Sequence, residues 1–114
     1  MKNFIVLVMV SFLSLTGFAQ EKQKLNKNKQ VEFSVNGNCE MCKKRIEKAA
    51  FSVPGVKSAD WNIDHKDMHL IIDERKCSAE DVQKAIAKAG HDAGKIKATE
   101  EDYNKLHGCC QYER

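Results

Sequence analysis

Residues 31–55 read VEFSVNGNCEMCKKRIEKAAFSVPG, and the periodicity changes partway along them. Val31, Phe33 and Val35 alternate with Glu32, Ser34 and Asn36, the period of two that marks a half-buried strand. Asn36-Gly37-Asn38 breaks the alternation. From Cys42 onward, Ile46, Ala49, Ala50 and Val53 recur at the spacing of one helix face, and Pro54-Gly55 stops the helix.

The pattern continues downstream. Ala59, Trp61 and Ile63 form a second alternation, Asp64-His65-Lys66 a short polar turn, and Met68, Leu70 and Ile72 a third alternation, so a hairpin is predicted. Ser78-Ala79-Glu80-Asp81 resembles a capping box, followed by the stripe Val82, Ala85, Ile86 and Ala89, with Gly90 as its stop. Asp92 to Ala98 offers a short last strand around Ile96. Thr99 to His107 predicts a short C-terminal helix with Tyr103 and Leu106 on one face. The order β-α-β-β-α-β predicts an α+β, ferredoxin-like sandwich, an antiparallel sheet with two helices on one face, followed by a Cys-rich tail.

At 114 residues the chain has room for one small domain, which excludes a two-lobed enzyme with a substrate cleft between its halves. Its 19 Lys+Arg against 16 Asp+Glu give a thinly spread +3, which argues against binding nucleic acid by bulk charge. Residues 1–19 read as a secretory signal cut after Ala19. Met1-Lys2-Asn3 is a positive start, Phe4 to Leu15 an apolar run, and Gly17-Phe18-Ala19 a small-residue cleavage site. The run is shorter than the roughly 18–20 apolar residues of a spanning helix, so no stable membrane insertion is expected after cleavage. Residues 20–30, QEKQKLNKNKQ, read as a flexible polar leader, and 98–114 as the C-terminal helix and Cys-Cys tail.

All five cysteines lie beyond residue 19, an odd number for an oxidising compartment, so at least one is unpaired, bridges to a partner or holds metal. Cys39-Glu40-Met41-Cys42 stands where strand hands over to helix. Two thiols at i and i+3 on that turn can converge, and the positive end of the helix dipole favours their thiolate forms. Thiolates select Cu(I), Zn(II) or Hg(II) over hard cations. Two sulfurs suit Cu(I) or Hg(II), whereas structural zinc usually takes four ligands, and a second C-x-x-C is absent.

Asn36 to Glu47, followed by Pro54-Gly55-Val56 and by Ala89-Gly90-His91-Asp92, resembles the heavy-metal-associated domain family over about residues 31–97. That family includes copper chaperones, the N-terminal metal-binding domains of copper-transporting ATPases and the periplasmic mercuric-ion binding protein. The resemblance implies Cys39 and Cys42 as the metal ligands. It also places His91 where the chain approaches the metal loop, as a candidate third ligand or a group that tunes thiolate charge. One departure matters: the family's loop reads Gly-Met-x-Cys-x-x-Cys with the Met beneath the site, but no Met precedes Cys39, so the support under this loop must differ. Met41 reads as a solvent-facing loop residue.

Cys77 reads as a small packing residue. Cys109 and Cys110 cannot easily bridge each other. With His107 close by, they are candidates for metal binding, for a bridge to another cysteine or for a partner contact, and a tail folded back over the loop would add thiolates to the site. His65 and His69 read as solvated and Trp61 as core. The expectation is therefore a periplasmic or secreted soft-metal protein, not an enzyme, that takes Cu(I) and passes it by ligand exchange, with Hg(II) and Zn(II) as alternative metals. Its expected partners are a metal-transporting ATPase or another metal donor or acceptor, with a metal-bridged dimer as a further arrangement. The alternatives are a periplasmic mercuric-ion binding protein and a thiol-disulfide oxidoreductase using the same pair. The oxidoreductase reading lacks the Trp-Cys-Gly-Pro-Cys surroundings and any proline other than Pro54.

Overall fold

The computed structural model describes residues 24–114; the signal sequence read at 1–19, and residues 20–23 of the leader, lie outside them. Strand β1 (Lys29–Ser34) leads into helix α1 (Glu40–Phe51), then strands β2 (Val56–Asn62) and β3 (Asp67–Ile72), helix α2 (Ala79–Lys88), a short helix α3 (Glu100–Asn104) and a 3-10 turn at Gly108–Cys110. The sheet is antiparallel in the order β1-β3-β2. Val31 and Ala59 flank Leu70, and Phe33 and Trp61 flank Met68, so, with Ile71 on the other side, these apolar residues of the three strands share one face. Helices α1 and α2 cover that face with Ile46 and Ala50, and with Val82 and Ile86. The two periodicities in the sequence thus meet in one core.

Each helix starts where its local chemistry allows. Ser78 accepts the Asp81 N–H at 3.2 Å while Asp81 accepts the Ser78 N–H at 2.9 Å, completing the capping box at α2. Thr99 caps α3 by accepting from the Asp102 N–H at 3.1 Å. At α1 the N-cap is Cys39, whose side chain makes no capping hydrogen bond.

Two boundaries differ from the sequence reading. β1 begins inside the stretch read as leader: Lys29 and Gln30 pair with Ile72 and Ile71, and the Asn26 N–H donates to Glu74 at 2.8 Å. An edge strand is held by its backbone ladder, so its outer residues need no apolar side chain. The expected fourth strand contracts to two isolated bridges, Val35 with Ala93 and Ala93 with Ile96. The chain turns back at once there, with the Ala93 N–H bonded to Ile96 O at 2.8 Å and the Gly94 N–H to Ser34 O at 2.7 Å, which leaves no length for a ladder. Among the described residues no helix is long and apolar enough to cross a membrane.

Candidate metal centre

The loop between β1 and α1 rests on aromatic ground. Trp61, fully buried, donates its indole N–H to Val35 O at 3.0 Å. A Cβ at Gly37 would lie 3.0 Å from the Trp61 ring and 3.2 Å from both Cys42 Cβ and Ile46. The loop therefore packs closely on Trp61, and a side chain at position 37 would push these neighbours aside. The different support anticipated beneath the loop is this tryptophan. Lys43 and Glu47 fix the helix to the strand that carries it: Lys43 Nζ donates to Trp61 O at 2.7 Å and to Asp60 at 2.8 Å, and Glu47 accepts the Trp61 N–H at 3.0 Å.

On that floor Cys39 Sγ and Cys42 Sγ lie 3.3 Å apart. Cys42 is fully buried and accepts the Asn38 N–H at 3.4 Å, while Cys39 is half-buried. The Cys42 backbone N–H, at the open start of α1, lowers the Cys39 thiol to about 7, helped by the Cys42 and Cys110 thiols and opposed by burial. The C-terminal tail brings a third sulfur, with Cys110 Sγ 3.5 Å from Cys39 Sγ. All three sulfurs lie within 4.8 Å of one another. Burial pushes the Cys110 thiol up to about 12, so without metal it remains a thiol beside its neighbours.

The other sequence candidates fall elsewhere. Cys109 is exposed, its sulfur 3.9 Å from Cys110 Sγ, and it is not in the three-sulfur group. His91 is fully buried and also outside that group. Its Nδ1 donates to Asn36 O at 2.8 Å and its ring stacks on Tyr112 with centroids 5.6 Å apart. Burial lowers its pKa, so the ring is neutral and holds the metal loop to the tail. Cys77 is buried and its thiol is raised by desolvation, which fits a packing role. Met41 is exposed, as expected. His69 is not simply solvated: it lies between Glu32 (2.6 Å) and Asp67 (3.1 Å) on the sheet face turned away from the helices.

Three participants were not singled out from sequence. In the sequence Trp61 reads as core, with nothing to mark it as the floor of the loop. Arg45 lies beside Cys110 with one buried guanidinium nitrogen that has no partner. Tyr112 donates its hydroxyl to Gly90 O and accepts the Asp92 N–H, both at 2.9 Å, which pins the tail. Its only sequence signal was an aromatic residue two positions after the Cys-Cys pair.

The state of Cys39 can be read directly. In reduced, metal-free protein, its alkylation by iodoacetamide is expected to rise through about pH 7 and level off above it, because the thiolate is the nucleophile. Peptide mapping at pH 8 should find Cys77 and Cys110 largely unmodified, being buried and raised. A Cys39 rate still climbing steeply above pH 8 would contradict the lowered thiol.

An α+β sandwich that gathers thiols at the start of its first helix defines a class of small soft-metal-binding modules. The sequence model of the heavy-metal-associated domain matches residues 25–92, and the chain belongs to that family. Solved structures agree. The CopZ metallochaperone is 30% identical, with 57% of this chain and 98% of that one covered and a TM-score of 0.55. Oxidized MerP from Ralstonia metallidurans CH34 is 29% identical over 59% of this chain and 94% of its own, with a TM-score of 0.56. The N-terminal domain of a potential copper-translocating P-type ATPase from Bacillus subtilis, solved in the Cu(I)-loaded state, is 26% identical over 59% and 85%, with a TM-score of 0.56. Among curated protein sequences nothing matches the chain.

Proposed function

We propose that this chain is a periplasmic or secreted Cu(I) carrier that holds its ion on Cys39 and Cys42 and passes it by ligand exchange to a metal-transporting ATPase or another metal acceptor. The observation that carries the reading is the Cys39–Cys42 pair, two sulfurs 3.3 Å apart at the start of α1, one of them a thiol lowered to about 7. Thiolates bind Cu(I) in preference to hard cations. Exchange needs a ligand that an incoming thiolate can reach, and half-buried Cys39 provides it. Similarity to a metallochaperone and to a Cu(I)-loaded ATPase domain supports copper as cargo. The apolar run from Phe4 to Leu15, behind a positive start and before a small-residue cleavage site, supports export. Family membership favours metal binding over thiol-disulfide exchange, and a binding role over an enzymatic one.

Hg(II) is the second reading, favoured by the likeness to MerP and by a donor set equally suited to that ion. Titrating reduced protein, residues 20–114, with Cu(I), Hg(II) and Zn(II) in turn against a competing chelator distinguishes them. The expected result, followed by native mass spectrometry, is one Cu(I) per chain taken from the chelator, with Zn(II) left behind. Failure to take Cu(I) from the chelator overturns the copper reading, and retention of Hg(II) alone would replace it with the mercury one.

A further inference from the structure

We propose that residues 99–112 form a latch that supplies Cys110 as a third thiolate to the ion on Cys39 and Cys42, so that cargo is held three-coordinate until a partner thiol displaces Cys110. The inference rests on the soft-metal reading above and adds to it a ligand, and a control on release, from a part of the chain beyond the residues 25–92 that the family model matches.

An ion with metal–thiolate bonds of about 2.3 Å, centred among three sulfurs, sets them about 4.0 Å apart. Here two separations are 3.3 and 3.5 Å and the third is within 4.8 Å, so the group fits with small adjustments. The third sulfur comes from 71 positions beyond Cys39 and still meets the loop pair.

Charge is the second observation. Three thiolates on Cu(I) carry two net negative charges, and burying that excess is costly unless a cation is near. The Arg45 guanidinium lies beside Cys110 and keeps one buried nitrogen without a protein partner. It is a cation in place before the charge it would balance.

The third observation is the way the segment is fastened. Leu106 is buried against Gly90, where a Cβ would come within 2.8 Å of it. Tyr112 bonds to both Gly90 O and the Asp92 N–H, stacks on His91 and meets Tyr103 edge-on at 5.0 Å, while Arg114 pairs with Asp92 at 2.9 Å. His91 and Asp92 in turn hold Asn36 of the metal loop, through Nδ1 to Asn36 O at 2.8 Å and the Asn36 N–H to Asp92 O at 3.0 Å. Tail and loop therefore grip the same two residues, and undocking one loosens the other.

Release is then a ligand substitution without redox change. The metal–sulfur bond to the partner thiol forms as the bond to Cys110 Sγ breaks, and the proton lost by the incoming thiol ends on Cys110. The copper remains Cu(I) throughout.

The test is X-ray absorption spectroscopy of Cu(I)-loaded protein, residues 20–114, without added thiol, combined with stopped-flow transfer to a chelator. The native protein is expected to show three sulfurs, Cys109→Ala three, and Cys110→Ala two with release about a hundredfold faster, the gain typical of a tethered extra contact. Tyr112→Phe should keep three sulfurs and release faster than native, which decides the matter if Cys110→Ala fails to fold by circular dichroism. Two sulfurs in the native protein, a count lowered by Cys109→Ala, or release unchanged in both folded variants would overturn the latch while leaving the two-thiol carrier standing. No Cu(I) uptake by the native protein would remove the carrier reading itself.

Discussion

Cys39→Ser in the reduced chain is expected to weaken Cu(I) binding at least about 100-fold while leaving the thermal midpoint unchanged or slightly raised. Four-ligand zinc sites gain about 10–16 kcal/mol in all, so one thiolate carries on the order of 3 kcal/mol, or about two powers of ten in affinity. A hydroxyl oxygen is a hard donor and does not recover this with a soft ion. The fold should be indifferent for a local reason. Cys39 is the N-cap of α1 and its side chain makes no capping bond, whereas serine is among the preferred N-cap residues. Cys42→Ser behaves differently, because Cys42 is fully buried beside Ile46 and the loop, and a shorter, more strongly hydrated hydroxyl there has only the Asn38 N–H and the neighbouring sulfurs as polar company. It should lose both metal affinity and about 1–3 kcal/mol of stability. Competition titration and thermal melts on the two variants check the pair. Equal destabilisation by both, or metal affinity preserved in Cys39→Ser, would mean that the two thiols do not divide ligand and core roles in this way.

That division was only half visible in the sequence. The C-x-x-C spacing, with a strand pattern before it and a helix pattern after, marked Cys39 and Cys42 as a pair, because the chemistry and the local structure both lie within a few residues. The apolar alternations at Val31–Phe33 and Met68–Ile72 and the capping box at Ser78 were legible for the same reason. What local pattern cannot carry is which distant residues meet. The meeting of Cys110 with Cys39 depends on Leu106 and Tyr112 docking at Gly90–Asp92, a set of long-range contacts with no periodic signature. His91 illustrates the limit: the Gly-His pair after α2 marked its position correctly, but only burial against Tyr112 and a bond to Asn36 make it a neutral fastening between loop and tail. The fourth strand differs from its sequence pattern for the opposite reason. Ile96 has a strand-like residue type, yet tight backbone bonds at Ala93 and Gly94 close the chain before a second ladder pair can form.

Trp61→Ala is expected to be the most damaging single substitution in stability, costing about 3–5 kcal/mol, the range for truncating a buried large aromatic to alanine. A domain of this size has only about 5–15 kcal/mol to lose, so the thermal midpoint should fall by on the order of 15 °C or more. The site explains why the loss would not stay in the core. Trp61 is fully buried, its ring underlies Gly37, and its indole N–H satisfies Val35 O, the last carbonyl before the metal loop. Removing the ring leaves Gly37 above a cavity beside Cys42 and Ile46, and frees the segment that leads into Cys39. Cu(I) affinity should therefore fall along with stability even at temperatures where the variant is folded. Trp61→Phe separates the two contributions. It keeps most of the apolar volume but leaves Val35 O without its donor, a cost of about 1–3 kcal/mol. If the ring is the floor that holds the sulfurs in place, Trp61→Phe should bind Cu(I) nearly as well as the native chain while melting earlier, and Trp61→Ala should lose both. Native affinity in folded Trp61→Ala would show that the loop keeps its shape without the tryptophan and that its geometry is held from the helix side, by Lys43 and Glu47.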